Sequence, residues 1–172
     1  TEAIRVRDGK ATVMYERCVG CGECVKVCPT HAKKEYYDNF KDIKNYKYTV
    51  ALPSPSLYGQ FNNLTDTNYV LTGLKNLGFN DVFEVAYGAE LVSAATKKHL
   101  NNKNTVRPII SSACSVVKNL ILMRYEHLVP HLSPMMQPEV VAAKLALAEA
   151  ERKSVLKRDE IGVFVITQCA AK

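Results

Sequence analysis

The stretch Tyr48-Thr49-Val50-Ala51-Leu52-Pro53-Ser54-Pro55-Ser56 decides how the larger part of the chain is read. Tyr48–Leu52 has strand-type residues, and the proline–serine run ends it at once. Working outward, Thr67–Asn76 places Val70, Leu71 and Leu74 at helical spacing, with Leu77 beyond and Gly78 as the stop. Val82–Ala86 reads as a strand, and Ala89–Leu100 as a helix ended by Asn101-Asn102. Val106–Ser111 reads as a strand, Val116–Tyr125 as a helix and His127–Gln137 as a loop. Pro138–Lys153 is an Ala- and Leu-rich helix with proline in its first turn. Ile161–Thr167 is an almost wholly apolar strand. This alternation predicts an α/β fold with a mostly parallel sheet covered on both faces. Ligands of such sheets bind beyond the carboxyl ends of the strands. Pro53–Ser56, Cys114 and Cys169 each follow a predicted strand, so one shared site with two thiols is expected there. Two unrelated core cysteines are the other reading.

Upstream, the run Cys18-x2-Cys21-x2-Cys24-x3-Cys28-Pro29 has the spacing of a bacterial ferredoxin 4Fe–4S site. Three thiolates two residues apart wrap one corner of a cubane. Gly20 and Gly22 let backbone N–H groups approach the cluster sulfurs. Zinc is the alternative, although its sites more often come as two separated pairs with histidine. A disulfide framework fits less well, because such crowding suits a reducing compartment and a metal.

Before this run, Ile4–Val6 and Ala11–Val13 flank Asp8-Gly9, a hairpin signal. Thr1-Glu2-Ala3-Ile4 echoes Thr30-His31-Ala32-Lys33, which follows Cys28-Pro29. The order hairpin then cysteine run predicts the second half of a ferredoxin repeat; a four-residue echo by chance is the alternative. On that reading Cys18, Cys21 and Cys24 take their fourth ligand upstream of Thr1, and Cys28 serves a second cluster. The expected organisation is residues 1–34 as a partial ferredoxin-type domain, 35–47 as a linker and 48–172 as the α/β domain.

With 172 residues, 47% hydrophobic and 23% charged, the chain has ordinary globular composition. No apolar stretch is long enough to cross a membrane, so no membrane is expected as a partner. The formal charge of +6 is spread, with a local density at Lys33, Lys34, Lys41, Lys44 and Lys47. A solvated face explains that density better than nucleic acid, and acidic redox partners are a possible use. Cluster-type cysteines argue for the cytoplasm of an anaerobe. Oligomeric state is not legible.

Ser111-Ser112-Ala113-Cys114-Ser115 and Ile166-Thr167-Gln168-Cys169-Ala170-Ala171-Lys172 resemble the first two cluster motifs of iron-only (di-iron) hydrogenases. Gly73–Phe79, Val82–Ala86, Gly88–Leu91 and Ser133–Pro138 resemble other segments of that family. The resemblance runs from Thr1 to Lys172, since a ferredoxin-type domain commonly precedes the catalytic one. It implies that Cys114 and Cys169 are two of four ligands to a 4Fe–4S cluster bridged to a di-iron centre with CO and CN ligands. It implies that Lys172 hydrogen-bonds a cyanide, a role suited to an ammonium in a dry pocket, and that Pro55 and Ser56 lie beside the di-iron centre.

The departures bear on activity. The family's proton-relaying cysteine is replaced by Ala113, which carries no proton. The prolines expected at Ser115 and Gln168 are missing, and a threonine, Thr167, stands for a methionine. The third motif, with the remaining two cysteines, would lie beyond Lys172. The chain is thus expected to be cut at both ends, with a di-iron centre only in a full-length protein. Glu84, Glu90 and His127 are alternative proton carriers, with surface or structural roles as the competing reading. The resemblance implies an iron–sulfur oxidoreductase interconverting protons, electrons and hydrogen, with a redox protein such as ferredoxin as partner. Ala113 suits a hydrogen or redox sensor. A hydrogenase-like iron–sulfur assembly factor, or a fragment that binds nothing, are the further alternatives.

Overall fold

The computed structural model describes residues 2–172; Thr1, the first residue of the echoed tetrapeptide, lies outside them. The chain forms two compact units that do not follow chain order. One comprises the residues through Tyr36, Asn102–Met135 and Cys169–Lys172. The other comprises Tyr37–Asn101 and Met136–Gln168.

The second unit is built on a three-stranded parallel sheet. Strand β3 (Tyr48–Pro53) is central, with β4 (Asp81–Val82) on one side and β5 (Ile161–Ile166) on the other. Its register runs from Tyr48 opposite Ile161 to Pro53 opposite Ile166, and Val50 faces Asp81. Ala51 and Leu52 are fully buried, as expected for a central strand covered on both faces. Against one face lie α3 (Val85–Leu100) and α5 (Pro138–Ser154). There Val50, Leu52, Val85, Ala142, Ala146, Ala150 and Ile161 form one cluster. Ala142, Ala146 and Ala150 recur every four residues, so α5 presents a small-residue stripe that admits close approach. Gly88 of α3 meets it: a Cβ there would lie 2.4 Å from the Pro138 carbonyl and 3.0 Å from the Ala142 Cβ. A second cluster holds Ile43, Ala51, Leu74 and Phe79, with α2 (Asn68–Asn76) supplying Leu74. Its rings meet edge to face, Phe40 on Phe79, Phe79 on Phe164 and Phe164 on Tyr46.

Two strand expectations fail for identifiable reasons. Val82–Ala86 keeps only Asp81–Val82 as strand. Phe83 N–H still donates to the Ala51 carbonyl, but Val85 turns in as the first residue of α3 and is buried in the core. Tertiary burial of one valine outweighs a β-type run. Val106–Ser111 forms no strand. Pro108 has no N–H to give to a ladder, and the segment keeps one bridge, Ile110 to Leu132. Its carbonyl at Pro108 lies 2.7 Å from the His131 Nδ1.

The first unit opens with an antiparallel hairpin, β1 (Ile4–Arg7) and β2 (Lys10–Val13), Ile4 opposite Val13. Asp8 and Gly9 both take positive φ, 50° and 70°, the twist that a two-residue hairpin turn needs. Lys33 Nζ donates to the Ala11 carbonyl at 2.8 Å and returns the chain to the hairpin. The cysteine loop follows, with one helical turn, α1 (Glu23–Lys26), inside it. The unit's longer helix is α4 (Ser115–Arg124).

Candidate metal centre

The six thiols and Lys172 all belong to the first unit, and Pro55 and Ser56 to the second. None of the six cysteines is in a disulfide. Cys18 closes a 3-10 turn, its N–H donating to the Tyr15 carbonyl. Val19 beside it is buried and anchors the loop. Gly20 and Gly22 both have left-handed φ, 74° and 75°, so the loop turns twice between Cys18 and Cys24 in a way only glycine allows cheaply. Cys21 is exposed; Cys18, Cys24 and Cys28 are half-buried. The Lys33 backbone N–H and then the Thr30 hydroxyl, 3.6 Å from Sγ, hold the Cys28 thiol down to about 7. A thiol near that value gives up its proton to a metal readily.

Among the described residues, no three His, Cys, Asp or Glu side chains converge as a cage for a single metal ion. The donor set fits a polynuclear cluster instead through its chemistry: thiols alone, on a loop that turns at two glycines, with open space where a Gly20 side chain would stand.

Cys114 and Cys169 are exposed and sit on two short segments tied to each other. Cys114 precedes α4 as its N-cap, with extended backbone, and its carbonyl accepts from Lys118 N–H. Ser115 Oγ donates to the Ala171 carbonyl at 2.8 Å. The Cys169–Lys172 turn is closed by Lys172 N–H donating to the Cys169 carbonyl at 3.0 Å. Behind Cys114, buried Ser112 donates to the Met135 carbonyl at 2.8 Å. A hydrogen-bonded frame thus holds the two cysteine segments together.

In the second unit, Pro55 opens a 3-10 turn beyond the end of β3. Ser54 N–H donates to the Ile166 carbonyl of β5 at 2.9 Å. Ser54 Oγ lies 3.1 Å from Ser56 Oγ, and Ser56 Oγ donates to Gln168 Oε1 at 2.7 Å. These polar groups stand at the carboxyl ends of two neighbouring parallel strands, the usual ligand position in such sheets. Tyr58 donates its phenol proton to Glu84 at 2.5 Å. Burial and then this bond push the Tyr58 phenol above its ordinary range. Glu84 is therefore engaged, Glu90 is exposed, and the ring of His127 packs edge to face against Tyr125.

Sequence reasoning missed the Ser115–Ala171 and Ser56–Gln168 bonds. A signal was present: Ser115 and Gln168 are the two places where proline was expected. Each has gained a hydrogen-bonding side chain, and each uses it to fasten a segment next to a candidate ligand.

The architecture is that of an α/β protein with a cysteine-rich unit, and comparison with known proteins identifies its family. The model for the iron-only hydrogenase large subunit, C-terminal domain, matches residues 47–172, and a 4Fe–4S binding domain matches residues 11–34. The chain belongs to the iron-only hydrogenase large-subunit family. It is 23% identical over 175 aligned positions to the NADP-reducing hydrogenase subunit HndD of Solidesulfovibrio fructosivorans, covering 90% of this chain and 30% of that protein. Two solved variants of the FeFe-hydrogenase HydA1 from Chlamydomonas reinhardtii, one of them in the apo form, superpose with TM-scores of 0.58 and 0.59. Each is 21% identical, covering 80% of this chain and 36% of theirs. That likeness concerns the fold, and the chain spans about a third of the length of these relatives.

Proposed function

We propose that this chain is the electron-entry and cluster-holding part of an oxidoreductase that interconverts protons, electrons and hydrogen. The reading rests on the Ser115–Ala171 hydrogen bond at 2.8 Å, which pairs the Cys114 and Cys169 segments as two ligands of one cluster would require. Cys18, Cys21, Cys24 and Cys28 would supply the ferredoxin-type cluster sites, and Cys114 and Cys169 part of the catalytic one. When bound, these iron–sulfur groups supply one-electron storage at potentials set by burial and hydrogen bonding. The chain's own residues would position and charge the site. Lys172 would offer a positive hydrogen-bond donor to an anionic ligand, and Pro55 and Ser56 would supply a fixed turn and a hydroxyl at the carboxyl end of β3. The partner would be a ferredoxin-like redox protein, and six cysteines outside any disulfide suit a reducing cytoplasm.

Ala113 favours a second reading, a hydrogen or redox sensor with slow turnover, because no thiol stands there to relay protons. The deciding experiment is anaerobic purification at natural length, with iron and sulfide counts, EPR and a hydrogen-uptake assay. Cubane signals with turnover are expected from the enzyme. Cubane signals without turnover, even after maturation, would leave the sensor, and Ala113→Cys should then raise the rate.

A further inference from the structure

Gly22 lies in the cysteine loop, between Cys21 and Cys24, and takes a left-handed φ of 75°. Its missing side chain faces the other cysteine segment: a Cβ there would stand 2.7 Å from the Ala170 Cβ. Ala170 directly follows Cys169. Its methyl cannot swing aside as a long side chain would, so any atom added at Gly22 must move backbone. The Cys169–Lys172 turn is itself pinned, by Lys172 N–H on the Cys169 carbonyl and by Ser115 Oγ on Ala171. Three cysteine-bearing segments are therefore in register through two contacts, one bare and one hydrogen-bonded.

We propose that the Gly22–Ala170 contact is a spacer that fixes the separation between the cluster site on the cysteine loop and the cluster site on Cys114 and Cys169. This rests on the functional reading above. Gly22 and Ala170 are positioning residues: they bind no iron, and they set how near two redox sites stand. The choice of residues is physical. Glycine against alanine is close to the smallest pair that two segments can present, so nearly any substitution widens the gap. Electron exchange between two sites weakens steeply with their separation, and one electron passing between them oxidises the first and reduces the second with no bond made or broken.

The test is the magnetic interaction between the reduced cluster on Cys18, Cys21 and Cys24 and the reduced cluster on Cys114 and Cys169, read by EPR on the protein at natural length. At 2.7 Å the Gly22→Ala methyl must shift the loop or the turn, and the splitting should narrow. The double variant with Ala170→Gly should restore it, because the methyl that the new Cβ meets is gone. Ala170→Val presses on the same contact from the other side, without touching the glycine's φ or the cysteine loop, and should weaken the splitting as well. If Gly22→Ala assembles both clusters with unchanged splitting, the spacer is wrong. It is equally wrong if the double variant fails to restore the splitting, since backbone strain at φ 75° would then be the cause. Should Gly22→Ala fail to assemble the loop cluster, Ala170→Val decides alone, and an unchanged splitting overturns the proposal. Absence of cubane iron and sulfide from the unmutated protein would bring down the functional reading itself, a different and separable result.

Discussion

The two units are held together by different physics. The sheet unit carries both apolar clusters, with Ala51, Leu52 and Ala142 fully withdrawn from water. The cysteine-bearing unit buries Ala3, Val19 and Ile121 on three separate segments and otherwise relies on turns, single hydrogen bonds and glycine geometry. A unit with so little apolar burial normally gains its order from a metal or a covalent staple. Chemistry-bearing side chains are thus concentrated where the chain invests least in a core.

Removing the iron should separate the units most sharply. In the reconstituted protein, chelation is expected to abolish amide protection around the cysteine loop and at Ser112–Ser115, while β3 and α5 keep theirs. Hydrogen exchange with mass spectrometry reads this directly, and uniform loss across both units would break the contrast. Next in size, Leu52→Ala in the central strand should cost about 3 kcal/mol of global stability, measured by denaturant unfolding. It should leave iron loading per folded molecule unchanged. Gly88→Ala gains about 1 kcal/mol of helix propensity, but its Cβ meets a backbone carbonyl at 2.4 Å. Overpacking of that kind costs about 1–3 kcal/mol, so a net loss of stability is expected.

The smallest effect concerns Asp81 at the start of β4. Burial pushes its carboxyl up, but the Lys153 ammonium at 2.8 Å, the Val82 N–H and Lys75 outweigh this and hold it below the ordinary range. A depressed carboxyl contributes stability that is present above its unfolded value, about 3.9. That contribution disappears as pH falls through the lower folded value. Lys153 is shifted up by Asp81 and then Glu149, so its share is present below the unfolded value and lost as pH rises through the folded one. Asp81→Asn should flatten the acid limb of the stability curve below about pH 4. The size is about 1 kcal/mol or less, because Lys153 is half exposed and screened by solvent. An acid limb identical to that of the unmutated protein would show that this pair contributes nothing.

Much of the sheet unit was legible because its signals are local and repeated. β3, α2 and α5 follow from apolar patterning and from proline or glycine at an end, and β5 from its continuous apolar run. The hairpin followed from Asp8-Gly9 between the short runs Ile4–Val6 and Ala11–Val13. Val85 and the 106–111 segment were not legible, since a β-branched residue at a helix start and a proline-bearing apolar run both mimic strands locally. Tertiary burial decided the first and a missing N–H the second. At the site, the thiols were visible from spacing. The Ser115–Ala171 bond and the Gly22–Ala170 approach were not, because each joins residues far apart in sequence and no short pattern encodes them.

The outer strand of the sheet has a practical consequence. Among the described residues β5 pairs with β3 alone, and its six residues, Ile161–Ile166, contain no charge and no proline. Margins of sheets are usually short, charged or covered, since a bare one is a template for a neighbouring strand. If that margin is open to solvent, concentrated protein scatters light and Val165→Lys suppresses the scattering; scattering that the substitution leaves unchanged would show the edge to be covered.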